Sequence, residues 1–246
     1  MKFIPLLVFI SLALLMTPHP SRAGTIKFSG YEWEIRPTSE DGGPGPNHWD
    51  EHNVQLDSNG FLHLKLTHHD GKWYCAELNT VRKFKFGTYQ FWIAGPIDTF
   101  DQNVVLGLFN YPESDVGPDG THEMDIEFSR WRNPHANMGN YTVYPTMVHT
   151  KEGATTFPFT LRKDTLSTHR LIWSSTSILF QSLHGLRDDN ADIFQSWLYK
   201  PVDPAKHISQ SPMPVHINLW CCDGKPPKDG KEVEIVIRSF KFTENQ

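Results

Sequence analysis

Apolar residues in this chain recur at every second position in short runs, and almost nowhere at the three-and-four spacing of a helix face. Leu62, Leu64 and Leu66 alternate with Phe61, His63 and Lys65. The same beat marks residues 88–93, 103–110, 140–149, 169–173, 177–183 and 215–220. It closes over 232–238, with Val233, Ile235 and Ile237 on one side. Gly- and Pro-rich turns at 41–46, 112–120, 184–190 and 223–230 separate these runs. A strand with one apolar face buries that face against a second sheet. The pattern therefore predicts an all-β chain of two antiparallel sheets packed face to face, a jelly-roll β-sandwich with a binding cleft across a concave face. No repeat, low-complexity tract or long linker divides it, so one domain is expected over 24–246.

One run departs from the ordinary pattern. Glu123-Met-Asp-Ile-Glu-Phe128, written as a strand, puts Glu123, Asp125 and Glu127 on one face and Met124, Ile126 and Phe128 on the other. The apolar face belongs in a core. Three carboxylates side by side repel and push one another's pKa values apart, so their crowding calls for a reason. Paired carboxyls that flank a scissile bond are the apparatus of glycoside hydrolysis. Glu123 and Glu127 are the candidate pair, and Asp125 lies between them. On a straight strand their Cα atoms stand ~13 Å apart. Retaining chemistry wants carboxyl groups ~5–5.5 Å apart and inverting chemistry ~6.5–9.5 Å. Bending of the strand and leaning of the side chains must close the gap. Spacing alone leaves both outcomes open.

Composition adds a binding surface. Aromatic residues make up 13% of the chain, with 16 Phe and 8 Trp, more than a core alone requires; exposed indoles stack on sugar rings. Lys and Arg are scattered and the formal net charge is −5, which argues against a nucleic-acid partner. Residues 1–23 read as a cleaved signal peptide: Lys2, an apolar run over 6–16, then Ser21-Arg22-Ala23. The run is too short to span a bilayer, so a secreted protein beginning at Gly24, without a membrane span, is expected. Cys75 could bridge to Cys221 or Cys222, or all three could be buried thiols. Neither C-x-x-C nor a convincing H-x-x-x-H pair occurs, so no metal ligand set is named. A monomer is expected.

Four further stretches extend the signal. Tyr74-Cys75-Ala76-Glu77 is followed by Phe86-Gly87-Thr88-Tyr89, then come the acid strand, His169-Arg-Leu-Ile-Trp173 and Met213 to Trp220, ending Ile217-Asn218-Leu219-Trp220. In this order, residues 60–242 resemble glycoside hydrolase family 16, the licheninase, laminarinase and xyloglucan transglycosylase group. The signature E-[IM]-D-[IF]-E-F is met without gaps. The resemblance implies a concanavalin-like jelly roll. It implies Glu123 as nucleophile, Glu127 as acid/base, Asp125 as the group that tunes Glu123, and retention through a covalent glycosyl-enzyme. The single residue between Asp125 and Glu127 is similar to the licheninase and transglycosylase branch.

Under that alignment Asn218 and Trp220, at i and i+2, face the cleft. Glu77, Trp131 just past the acid strand, and Asn140, Thr142 and Tyr144 on one face of the next strand are the other candidate substrate contacts. No organic cofactor is implied; some relatives hold a structural Ca²⁺, for which no oxygen cage stands out here. The expected activity is endo-hydrolysis of a β-linked polysaccharide by double displacement. A transglycosylase using the same trio and a lectin-like binding sandwich are the alternatives. The polymer is left open.

Overall fold

The computed structural model describes residues 24–118, 120–147 and 152–245. The signal-peptide reading over 1–23 and the end of the 140–149 run lie outside the described residues. The first strands are short: β1 (Thr25–Phe28), β2 (Tyr31–Ile35), β3 (His48–Trp49) and β4 (Val54–Leu56). Longer ones follow as β5 (Leu62–His69), β6 (Lys72–Thr80), β7 (Gly87–Ala94), β8 (Val104–Asn110), β9 (Met124–Phe128) and β10 (Gly139–Met147). Then come β11 (Glu152–Phe157), β12 (Leu166–Trp173), β13 (Ile178–His184), β14 (Ile193–Tyr199), β15 (Val215–Cys221) and β16 (Val233–Glu244). Helix among the described residues is confined to Pro204–His207 and two 3₁₀ turns, Glu51–Asn53 and Cys222–Gly224.

The strands make one ribbon folded over on itself. The layer that carries the acids runs β11-β10-β9-β8-β15-β6, with β2 and then β1 beyond β6. The facing layer runs β5-β16-β7-β12-β13-β14, with β4 against β5. β6 crosses between the layers by bending to pair with β5 at Thr67 and Tyr74. Alternation explains which side each strand buries. Leu62, Leu64, Leu66, Ile235 and Ile237 are fully enclosed, as are Met124, Ile126 and Phe128 beneath the acids. Each such side chain contributes ~1.5–3 kcal/mol on burial, which fixes the acid face of β9 outward. Phe128 meets His169 of β12 at 4.7 Å between rings, and Tyr141 stacks on Phe180 at 5.0 Å, so the catalytic strand rests on the second sheet.

The alternation missed the edges. β14 exposes Ile193 and Leu198, and β1 to β4 are short with mostly exposed polar faces, so neither period is clean there. The acid strand begins at Met124, one residue later than the pattern suggests. His122 adopts φ of 62° and its N–H bonds Tyr144 O at 2.9 Å, turning the chain just before Glu123. Cys75, Cys221 and Cys222 are buried free thiols, the second of the two expected states.

A polar chain crosses the apolar core. Tyr141 Oη donates to Ser182 Oγ at 2.7 Å, and His169 spans Ser182 Oγ and Ser167 Oγ at 2.8 Å each. Burial pushes the His169 imidazole down to about 3, so it stays neutral in the fold. In the unfolded chain it titrates near ~6.5. Its contribution to stability is therefore complete above ~6.5 and falls by about 1.4 kcal/mol per pH unit as the pH drops toward 3. Urea midpoints of wild type and His169→Gln, followed from pH 7 to 4, should converge as the pH falls. Parallel pH profiles would contradict the account.

Candidate active site

Strand register assembles the site. β9 pairs with β10 and β8 without a bulge, Glu127 opposite Asn140 on one side and Gly107 on the other. β15 continues the row by placing Asn218 beside Gly107, and β6 places Glu77 beside Asn218. The next row holds Thr142, Asp125, Phe109 and His216. Side chains of both rows share one face because all these strands are flat-paired. Glu123, Asp125 and Glu127 open there into a cleft of about 550 Å³, whose walls include Glu77, Tyr144, Asn218, Trp131 and Trp220.

The acids are not equivalent. Asp125 is 2% exposed, and burial, then the charges of Glu123 and Glu127, hold its carboxyl well above the ordinary range. A hydrogen bond joins it to Glu123. Glu127 is pushed up to about 8, first by burial and then by the charge of Glu123. At neutral pH it is therefore a protonated acid beside an anionic neighbour. Divergent carboxyls of this kind divide acid and nucleophile roles in glycosidases.

Gly107 makes the row possible. A Cβ there would stand 2.5 Å from Asn218 Oδ1 and 3.4 Å from Phe109 Cδ1. Its bare backbone lets Asn218 lean toward Glu127 over the gap. Asn218 Oδ1 and Asp125 Oδ1 are buried and find no hydrogen-bond donor among the described residues. Buried acceptors of this kind want a partner, and a hydroxyl supplies one. Gly107→Ala should displace Asn218 and lower kcat/KM by about tenfold or more, the loss of more than ~1.4 kcal/mol in the transition state. A variant with full turnover would show that Asn218 has no part in positioning substrate.

Glu77 is engaged on both oxygens. Arg36 Nη1 donates to Oε2 at 3.0 Å, and His216 Nδ1 lies 3.3 Å from Oε1. Arg36 also sits 4.2 Å over the Trp49 ring and donates to Gly43 O at 2.6 Å. The 41–46 turn is thereby pinned as a cleft wall through Gly43 and Pro44. Asn47 secures its other end by donating to Pro44 O at 2.6 Å and Cys221 O at 3.0 Å. Two aromatic platforms face the acids. Trp131 meets Trp220 at 6.1 Å, and Phe109 stacks on His216 at 5.0 Å with Tyr111 against the same ring.

Asn140 and Thr142 do not line the cleft. Asn140 turns its amide to Ser129 O and Met138 O at 3.1 Å each, tying off the chain where β9 ends. Thr142 is buried beside Asp125. Period-two reasoning put both on the right face, but both are buried there. Arg36, Phe109, Tyr111 and His216 escaped the sequence reading. His216 stands two residues before Asn218 on one strand, so alternation could have found it; Arg36 reaches the cleft through contacts no local pattern signals. Among the described residues no group of three or more His, Cys, Asp or Glu is placed to hold a metal ion.

Comparison with known proteins comes down to shape. No family model matches the chain, and no curated protein matches it. The β-glucanase of Bacillus licheniformis superposes with a TM-score of 0.62 at 19% identity, covering 92% of this chain and 100% of that one. A laminarinase from Flavobacterium sp. UMI-01 gives 0.64 at 14% identity, covering 86% and 93%. A glycoside hydrolase family 16 endo-glucanase from Bacteroides ovatus gives 0.62 at 15% identity, covering 86% and 94%. The sandwich expected from alternation is thus the fold of these glucanases, over nearly their whole length.

Proposed function

We propose that this chain is a retaining endo-β-glycanase of glycoside hydrolase family 16, acting on a β-glucan-type polysaccharide. The observation that carries the reading is the unbulged acid strand, which opens Glu123, Asp125 and Glu127 into one aromatic cleft. Its shared fold with glucanases and the gapless E-M-D-I-E-F run support it. In this reading Glu127 gives its proton to the glycosidic oxygen as the bond breaks, and Glu123 attacks the anomeric carbon. Asp125 hydrogen-bonds Glu123 and keeps that carboxylate aimed at the anomeric carbon, and its own proton stays on Asp125 throughout. Glu127, now ionised, takes a proton from water, which then displaces Glu123 with net retention. Trp131, Trp220, Phe109 and Tyr111 offer faces to the sugar rings, and a cleft open along the sheet admits the middle of a polymer. Export through residues 1–23 and a monomeric state complete the proposal.

Reducing-end release by the purified protein over mixed-linkage glucan, laminarin, xyloglucan, agar and carrageenan tests it. Internal cleavage of at least one, with the β-anomer first to appear, is the expected result. The α-anomer would replace retention by inversion. Lengthened chains without new reducing ends would make the protein a transglycosylase, and binding without any cleavage a lectin.

A further inference from the structure

A second groove, of about 510 Å³, is built from the residues that follow Trp131 and Trp220 in the chain. Gln102, Asn103, Arg132, Lys225, Pro226, Pro227 and Lys228 line it. Three strand ends converge there: the start of β8, the exit from β9 and the exit from β15. It is continuous with the platform by sequence and by bonding. Arg132 follows Trp131, and Cys222, two residues beyond Trp220, donates its N–H to Asn103 O at 2.8 Å.

The groove is cationic on a chain whose formal net charge is −5. Arg132 pairs with Asp223 at 2.5 Å, both exposed, a contact of little worth in water. Lys225 and Lys228 are exposed and form no ion pair among the described residues. Within the cleft itself, Arg36 is occupied by Glu77. The backbone that carries the two lysines is fixed. Pro226 and Pro227 fix φ between them, Pro226 O accepts from Asn103 Nδ2 at 2.6 Å, and Gly230 N–H closes a turn onto Pro227 O at 3.1 Å. A fixed backbone holds the two lysine Cα positions side by side, so both side chains reach the same groove.

We propose that this groove receives an anionic substituent, a sulfate ester or a carboxylate, of the polysaccharide whose sugar ring lies on Trp131 and Trp220. The inference rests on the glycanase reading and names the substrate class that reading leaves open. Glycosidic cleavage remains the work of the acids; the groove selects which repeat is seated beside them. Negative charge is disfavoured in the acid row by the anionic Glu123, so a charged substituent is better seated away from it, beside the lysines.

The test uses one backbone carried in three forms: laminarin, sulfated laminarin, and laminarin oxidised at C6 to the uronate. Dissociation constants are measured for the Glu123→Gln protein, which binds without turnover, and for the same protein carrying Lys225→Gln and Lys228→Gln. Circular dichroism checks the fold of each. The expected result is roughly tenfold tighter binding of one or both charged chains than of the neutral one. That preference should collapse toward unity in the lysine variant and fade between 0.01 and 1 M salt, as the Debye length falls from ~30 to ~3 Å. Which charged form gains identifies the sulfate or the carboxylate source. Equal binding of all three forms, or a preference that survives the lysine changes, overturns the groove while the glycanase reading stands on laminarin binding and wild-type cleavage. Binding of none of the three, together with no cleavage across the wider panel, overturns both.

Discussion

Glu123→Gln should lower turnover by roughly 10⁴-fold or more, since it removes the group that forms the covalent intermediate. Glu127→Gln should lose ~10²–10⁴-fold, the usual weight of a positioned general acid. Polysaccharide binding should survive in both within about threefold, because the platforms and Asn218 are untouched. The two variants are told apart by their leaving-group dependence. An aryl glycoside with a nitrophenolate leaving group needs no proton, so Glu127→Gln should cleave its first bond at near wild-type rate and then stall. Mass spectrometry should find a glycosyl adduct on Glu123 in that stalled protein, because the base that activates water is missing. Glu123→Gln should gain nothing from the better leaving group. A variant pair with equal losses on both substrates would reject the division of roles, and full activity in both would reject the acids altogether.

How much of this was legible beforehand follows from where each interaction lives in the sequence. The β9 face and the β15 face were legible because period two is a local property and the burial of Met124, Ile126 and Phe128 is as regular as the alternation. The acids announced themselves through crowding. Residues that depend on register were only half legible. Asn218 and Trp220 fall on the cleft face by alternation, yet nothing local says that Gly107 lies between Asn218 and Glu127 and leaves room for both. Asn140 shows the converse: it is on the right face but consumed by backbone carbonyls at the end of β9. Least legible was the 41–46 turn, read only as a separator. It becomes a wall because Arg36 and Asn47 tie it to Glu77 and to β15, pairings of distant segments.

The pH profile carries the second large effect. With Glu127 pushed up to about 8, kcat/KM should fall tenfold for each pH unit above that point, as the free enzyme loses its general acid. The same shift acts on stability. In the unfolded chain this carboxyl ionises near ~4.5, in the fold only near 8, so the unfolded state releases its proton first. Wild type therefore loses stability as the pH rises through that window, by up to about 1.4 kcal/mol per unit, and the loss is complete above 8. Gln at position 127 escapes it. The limb should appear for wild type on polysaccharide and be absent for both proteins on the aryl substrate's first step, and Glu127→Gln should melt several degrees higher at pH 7, at ~2–4 °C per kcal/mol for a chain of this size. Its advantage should shrink toward pH 5. The inactive protein is thus expected to be the more stable one, because the burial that keeps Glu127 protonated for catalysis penalises its charged form in the fold. A variant that melts no higher at pH 7, or keeps the limb near 8, would place the shifted proton on another group, with Asp125 and Glu123 the nearest to hold it.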